Sequence, residues 1–327
     1  MHIPDNYLSP STCAVLGATM LPVWRRASVK VKEEITRKKM PLLGIGAAFS
    51  FLIMMFNVPL PGGTTGHAVG AALIAILMGP YAASMSITVA LLIQAMFFGD
   101  GGILALGANC FNMAFIMPFS GYYIYKFIRS RVRTEKGALA AVFISAYMAI
   151  NIGALFAAVE LGIQPLLFMD AAGRPMYFPY SMTATVPYIL IPHLLVAGFV
   201  EAIISGGVYS FILKVSPGLI YEGRTVKTNP IYASLYLLLL LTPLGLLASG
   251  KAWAEWGAEE ISKVAVNGRV LGYVPQGMKE GFSFKALMSG YSIGGFSQAV
   301  GYIFAAAAGC ATLIILFKLL QMRKFKP

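Results

Sequence analysis

Residues 68–98 read AVGAALIAILMGPYAASMSITVALLIQAMFF. The run is apolar and too long for one straight crossing, since about 20 residues at 1.5 Å rise span a bilayer core. Gly79-Pro80 sits near its middle, and proline ends or kinks a helix. The charges downstream choose between one kinked span and two crossings. With one, residues 110–128 run outward and Arg129, Arg131, Arg133 and Lys136 become external, against the rule that basic residues stay cytoplasmic. With 68–79 running inward and 81–98 outward, that cluster falls inside. Two crossings are therefore expected. The first is short, roughly 18 Å, so it is expected to start in a cavity, where irregular backbone is tolerated at membrane depth.

The rest of the chain follows from this choice. It has 327 residues, 58% hydrophobic and 12% charged, with a mean hydropathy of +0.74. That composition excludes an ordinary soluble domain and predicts an all-α, polytopic helical membrane protein. The expected spans are 8–24, 42–58, 68–79, 81–98, 110–128, 137–162 and 187–213, a seven-span core over residues 1–215. Residues 216–327 read as a second module, with spans 230–248 and 295–318 around an extracytoplasmic loop, 249–294. The N-terminus is expected outside, with no signal peptide, and the C-terminus in the cytoplasm. A net charge of +12 raises nucleic acid as a partner. The basic residues cluster instead at span ends, in 25–40, 129–136, 214–229 and 318–327, which predicts no nucleic-acid partner. Cys13, Cys110 and Cys310 fall in or beside apolar runs without a CxxC, so they read as buried inert thiols.

Chemistry concentrates at the start of the chain. Met1-His2-Ile3-Pro4-Asp5-Asn6-Tyr7-Leu8 opens it, and Pro61-Gly62-Gly63-Thr64-Thr65-Gly66-His67 lies between two apolar runs on the same, outer side. A free α-amine on Met1, the amide nitrogen of His2 and the His2 imidazole can close adjacent chelate rings on one ion. The His67 imidazole would complete four nitrogens, a set suited to Ni(II) or Cu(II), with Co(II) plausible. The bland alternative is a flexible terminus at His2 and an ordinary loop residue at His67.

Other motifs carry less. Gly245–Lys251 has the spacing of a phosphate loop, but Ala252 stands where a hydroxyl should follow and no βαβ context surrounds it. The chain is thus expected to hold no ATP site. No hydrolase or metalloprotease motif is present, so no enzyme is expected. Ala14-x-x-x-Ala18 and Gly66-x-x-x-Gly70 have small-residue spacings that permit close helix contact. Ala14 and Ala18 are candidates for contact with a partner helix. Gln94, Asn109, Asn112, Glu160, His193 and Glu201 are polar groups in or beside apolar runs, where such groups usually face a bundle interior. His193 reads as a hydrogen-bonded structural histidine, and the scattered methionines as packing.

The N-terminal segment, Gly62-Gly63-Thr64-Thr65-Gly66-His67, and Phe98-Gly99-Asp100-Gly101-Gly102 with Leu106–Asn109 and Asn112-Met113 together resemble the CbiM/NikM family. Those proteins are substrate-binding membrane subunits of energy-coupling-factor (ECF) transporters for cobalt and nickel. The resemblance covers about residues 1–215. It implies seven spans, an inserted N-terminus, and metal held by the Met1 amine, the His2 amide and imidazole, and the His67 imidazole. Asn6 stands where the family usually has glycine; asparagine tolerates the left-handed backbone next best. Thr65 replaces a common serine. Residues 230–318 are similar in layout to the small CbiN/NikN companion subunit, fused in one chain.

The implied function is capture of Ni2+ or Co2+, as transported substrate rather than resident cofactor, in an ATP-driven importer of a prokaryotic cytoplasmic membrane. It would supply metal for cobalamin biosynthesis or nickel enzymes. The implied partners are a transmembrane coupling (T) subunit and two cytoplasmic ATPases. Asp5, Thr64, Thr65 and Asn109 are candidates to orient the imidazoles from behind. The alternatives are a stand-alone proton-coupled divalent-metal permease, using Glu160 and Glu201, and a metal-sensing receptor.

Overall fold

The structure is a computed structural model that describes residues 1–34, 40–221 and 226–324. The end of the basic segment at Lys39, part of the 214–229 linker and the tail at Lys326 lie outside the described residues.

The chain starts as a non-helical segment, Met1–Ser9, and enters α1 (Pro10–Glu34). Ser9 caps this helix, its Oγ accepting from Thr12 N at 3.1 Å. Pro10 then occupies a position whose missing N–H costs nothing. The helix continues ten residues beyond the expected end of the first span at Trp24. Pro22 lies inside it rather than breaking it, because the residues that follow are mostly good helix formers.

After α2 (Met40–Met54) comes a small antiparallel hairpin, β1 (Val58–Leu60) and β2 (Thr64–Gly66), pairing Val58 with Gly66 and Leu60 with Thr64. Gly62 and Gly63, at φ 90° and 74°, make its turn. Residues 68–98 form α3 (Ala71–Met78) and α4 (Pro80–Ile93), separated by Gly79 at φ 88°, with a π-helical turn at Gln94–Phe98. Ser50 donates to Val69 O, and the Phe98 ring lies 5.4 Å from Phe51. Both ends of the run therefore meet the C-terminal end of α2. Ser86 donates to Leu43 O near the other end. The two limbs fold back on each other at Gly79.

The core continues through α5 (Leu106–Asn109), a π-turn at Cys110–Ile116, α6 (Met117–Arg131), α7 (Glu135–Gly162) and α8 (Gln164–Leu167). It closes with α9 (Met182–Pro192), a π-turn at His193–Ala197 and α10 (Gly198–Val215). Small residues set the close approaches. A Cβ on Gly121 would meet Ala72 at 2.5 Å and Ala149 at 3.2 Å, which seats α6 between α3 and α7.

The C-terminal part comprises α11 (Asn229–Leu241), α12 (Ala258–Ile261), a minimal hairpin of β3 (Ala265–Val266) and β4 (Arg269–Val270), α13 (Gln276–Lys279) and α14 (Gln298–Lys324). Tyr302 donates to Met55 O at 3.0 Å, Gly309 packs on Phe51, and Gly44 meets Ile314 and Phe317. α14 thus lies antiparallel along α2.

Among the described residues, five helical stretches are long and apolar enough to cross a membrane: Pro80–Phe98, Glu135–Leu167, Met182–Val215, Asn229–Leu247 and Gln298–Leu320. The chain is an all-α polytopic membrane protein. One sequence reading is corrected. Gly66 lies in β2 and Gly70 is a left-handed residue at φ 72° ahead of α3, so their spacing is not a helix-contact motif: the intervening backbone is not helical.

Candidate metal site

The N-terminal segment is threaded into the bundle by its backbone. Asn109, at the end of α5, accepts from Ile3 N at 2.7 Å and donates to Ile3 O at 3.0 Å. Gly102 N also donates to Ile3 O. The Asp5 carboxylate accepts from the N–H groups of Ile103, Leu104 and Ala105, the turn that leads into α5. Gly102 must be glycine here, since a Cβ would overlap Asp5. Asn6 adopts φ 69°, and its side chain exchanges two hydrogen bonds with the backbone of Phe282. Asparagine thereby adds a tether to the C-terminal part that glycine lacks. Ser9 N finally donates to Gln164 Oε1.

The His67 loop is held from the other side. Glu201 of α10 is fully buried and accepts from Val69 N at 2.7 Å and Gly70 N at 2.9 Å. They lie just ahead of α3, and Gly70 N is among the donors that its first turn leaves unpaired.

Between these supports His2 and His67 meet. They are 4% and 6% exposed, so neither is a flexible residue. His2 Nδ1 stands 3.2 Å from His67 Nε2, with ring centroids 5.0 Å apart. Two nitrogens held at right angles by one ion, with bonds of roughly 2.0 Å, stand about 2.8 Å apart. The observed spacing is close to that. His67 Nδ1 lies 3.1 Å from Ala68 O. Its proton is therefore assigned to Nδ1, which leaves Nε2 bare toward His2.

Burial, helped by the neighbouring amino terminus, pushes the His2 imidazole down to about 3. The same causes hold His67 well below the usual histidine range. Both rings are neutral at physiological pH, as metal ligation requires. Asp100 Oδ1 lies 3.3 Å from His2 Nδ1, and Glu255 Oε1 lies 3.5 Å from the Met1 amine. Burial pushes Glu255 up to about 7, against the pull of that amine. A cavity lined by Asn57, His67, Asp100, Glu255, Tyr291 and Tyr302 opens beside the rings. Among the described residues no group of three or more His, Cys, Asp or Glu side chains is arranged around an ion. What the site offers instead is two imidazoles beside the amino terminus.

Of the residues expected behind the ligands, Asp5 and Asn109 bond the backbone of the site. Thr64 Oγ1 donates to Lys251 O in the C-terminal part, and Thr65 is buried. The hydrogen bonds of Asp5, Asn109 and Thr64 all go to backbone groups rather than to imidazole nitrogens. Ala14 and Ala18 lie exposed on α1, where a partner helix could reach them. His193 Nδ1 bonds Ile189 O at 2.7 Å. Glu160 accepts from Asn112 at 2.8 Å.

Sequence reasoning missed the roles of Asp100 and Glu255. Asp100 sits in one of the quoted motifs, but its placement beside His2 depends on the turn after Phe98. Glu255 lies far along the chain, in the C-terminal loop.

Fold and site together define a multi-pass membrane protein with a buried nitrogen-donor pocket near one end of its bundle, capped by its own C-terminal part. The profile described as the cobalt uptake substrate-specific transmembrane region (CbiM) matches residues 2–219, and that of the PDGLE domain matches residues 229–323. The chain belongs to the CbiM family. It is 48% identical to the probable fused nickel transport protein LarMN of Lactiplantibacillus plantarum, over 98% of each chain. It is 41% identical to the fused nickel transport protein NikMN of Rhodobacter capsulatus, over 96% of this chain and 95% of that one. A solved structure of a transition metal transporter is 55% identical, with a TM-score of 0.62, covering 66% of this chain and 93% of the other.

Proposed function

We propose that this chain is the substrate-capture subunit of an ATP-driven ECF importer in a prokaryotic cytoplasmic membrane, and that it takes up nickel in preference to cobalt. The 3.2 Å approach of His2 Nδ1 to His67 Nε2 carries the reading of the site. The Met1 amine, the His2 amide nitrogen, His2 Nδ1 and His67 Nε2 hold the ion as substrate. Nδ1 is the imidazole nitrogen that closes a six-membered ring with the residue's own amide. Four nitrogens in a plane favour nickel, and the two full-length relatives above are both named for nickel transport.

We place the division at residue 215, with seven spans before it and two after; the two matching profiles, over residues 2–219 and 229–323, support a boundary in this region. The N-terminus and the 249–294 loop lie outside, and the basic ends lie in the cytoplasm. A T subunit and two ATPases supply the energy, with Ala14 and Ala18 on the face that meets the T subunit. A solitary proton-coupled permease would need free carboxylates along its path. Glu201 is instead engaged by two backbone N–H groups, and Glu160 by Asn112.

The test is nickel accumulation in cells carrying this chain with and without the coupling subunit and ATPases. Accumulation that needs all components is expected. Accumulation that persists without the ATPases contradicts the importer reading and favours the permease.

A further inference from the structure

α11 packs along α2 and α14, and a cleft of about 270 Å3 separates it from α3 and α10. Phe49, Leu77, Phe211, Leu219, Leu235 and Leu237 are among its walls. Among the described residues, Ser234 is the one polar side chain that lines it, and its Oγ already donates to Ile231 O at 2.8 Å. A buried water needs about three hydrogen-bond partners, and an apolar cavity of only about 150 Å3 stays dry and takes up an apolar guest. The cleft opens on the outside of the bundle, since Leu237 is 56% exposed and Phe211 36%. Both residues belong to stretches long and apolar enough to cross a membrane, so hydrocarbon lies at that opening. The residues outside the described ones, 35–39, 222–225 and 325–327, are too short and too polar to fill the space.

One end of the cleft is basic. Ile212 and Leu219 line it and flank Ser216, which is buried. Ser216 Oγ accepts from Lys227 N at 2.9 Å. That bond brings residue 227 beside the end of α10, where Lys214 sits. Ile231, one turn after Lys227, lines the cleft again. Lys214 and Lys227 are both exposed. Among the described residues no carboxylate pairs with either.

We propose that the cleft binds an anionic phospholipid: one acyl chain fills it, and Lys214 and Lys227 hold the charged headgroup at its basic end. The walls suit a hydrocarbon tail and exclude the hydrated headgroup, which has no partner inside. Lysine stems lie along apolar surface and carry their ammonium groups to its polar edge, where they attract an anionic headgroup more strongly than a zwitterionic one. The tail supplies the packing that is absent across the cleft. The lipid thereby joins the C-terminal part to the core at the end of α3 away from His67.

The test is native mass spectrometry of the full chain released from micelles that hold phosphatidylglycerol and phosphatidylcholine of the same chain length in equal amounts. The wild type is expected to retain one lipid, with phosphatidylglycerol preferred roughly tenfold. A Cβ at Gly207, on the cleft wall, meets nothing within 4 Å. Gly207→Leu therefore fills the cleft and should lose the lipid of either class. Ser234→Phe fills it from α11 and serves where Gly207→Leu does not fold. Lys214→Gln combined with Lys227→Gln should still retain a lipid, but without the preference. A wild type that retains no more lipid than the filled variants overturns the site. A preference that survives the double substitution overturns the headgroup contact. A lipid-free dimer, or loss of the lipid once the coupling subunit is bound, would assign the cleft to a protein partner instead.

Discussion

Asn109 grips the backbone of Ile3 at both ends, through Ile3 N at 2.7 Å and Ile3 O at 3.0 Å. This double bond to residue 3 fixes the direction in which residues 1 and 2 enter the bundle. A terminus is ordinarily the most mobile part of a chain. Here one side-chain amide converts it into part of a site, and Glu201 does the same for the opposing His67 loop. The two halves are anchored to different helices, and this brings the two imidazoles together.

Removing the grip should therefore cost affinity rather than fold. Asn109→Ala is expected to weaken nickel binding about 10- to 100-fold, the usual cost of losing a group that orients ligands. Asn109→Asp keeps the acceptor for Ile3 N and should fall between. Competition titration of the purified variants against a calibrated chelator measures both.

Glu201 makes a different prediction. Glu201→Ala leaves Val69 N and Gly70 N buried without their acceptor, which should destabilise the protein by about 2–4 kcal/mol. The loss should appear as a lower midpoint of thermal unfolding in detergent, with or without metal. An unchanged midpoint would mean that the loop is held by other contacts.

Gly102 tests the threading of the terminus. Gly102→Ala drives a methyl group into Asp5 and should displace residues 1–5, so that metal stoichiometry falls while the helices remain. Gly207→Ala, where nothing lies within 4 Å of the added carbon, is the matched control.

The pH dependence follows from the neutral imidazoles. The folded His2 value, about 3, lies below the ordinary 6.5. Between those values the unfolded chain binds the extra proton, so stability should fall as pH drops below 6.5. Nickel affinity should instead keep rising from pH 7 to 9, because the imidazoles are already neutral there and the His2 amide still has a proton to release. Calorimetry in buffers of different ionisation enthalpy counts the protons released. Affinity that levels off just above pH 6.5 would assign the released protons to the imidazoles.

The approach of His2 to His67 was legible because histidine is rare in this chain, and the reading that joined them, a chelate through main-chain nitrogens, needs only these two. The return of residues 68–98 on themselves was legible because Gly79-Pro80 and the downstream basic cluster constrain it together. The supports were not. Asp100 and Glu255 meet the N-terminus across about 100 to 250 residues of sequence, and no local pattern announces such contacts. The π-turns that begin at Gln94 and His193 are equally silent in sequence, since an extra residue in a helical turn leaves the apolar pattern intact. The Gly66-Gly70 spacing misled because it assumed a helix where a hairpin and a left-handed glycine stand.

The central claim is that Met1 and His2 bind metal through main-chain nitrogens. Its most direct test is the nickel and cobalt content of the purified protein after growth with both ions, compared with His67→Ala and with a variant carrying one extra residue between Met1 and His2. The insertion keeps every side chain and destroys the chelate rings. Both variants should lose the one equivalent of metal that the wild type holds, mostly nickel. An insertion variant that retains its metal would contradict the claim and remove the N-terminus from the site.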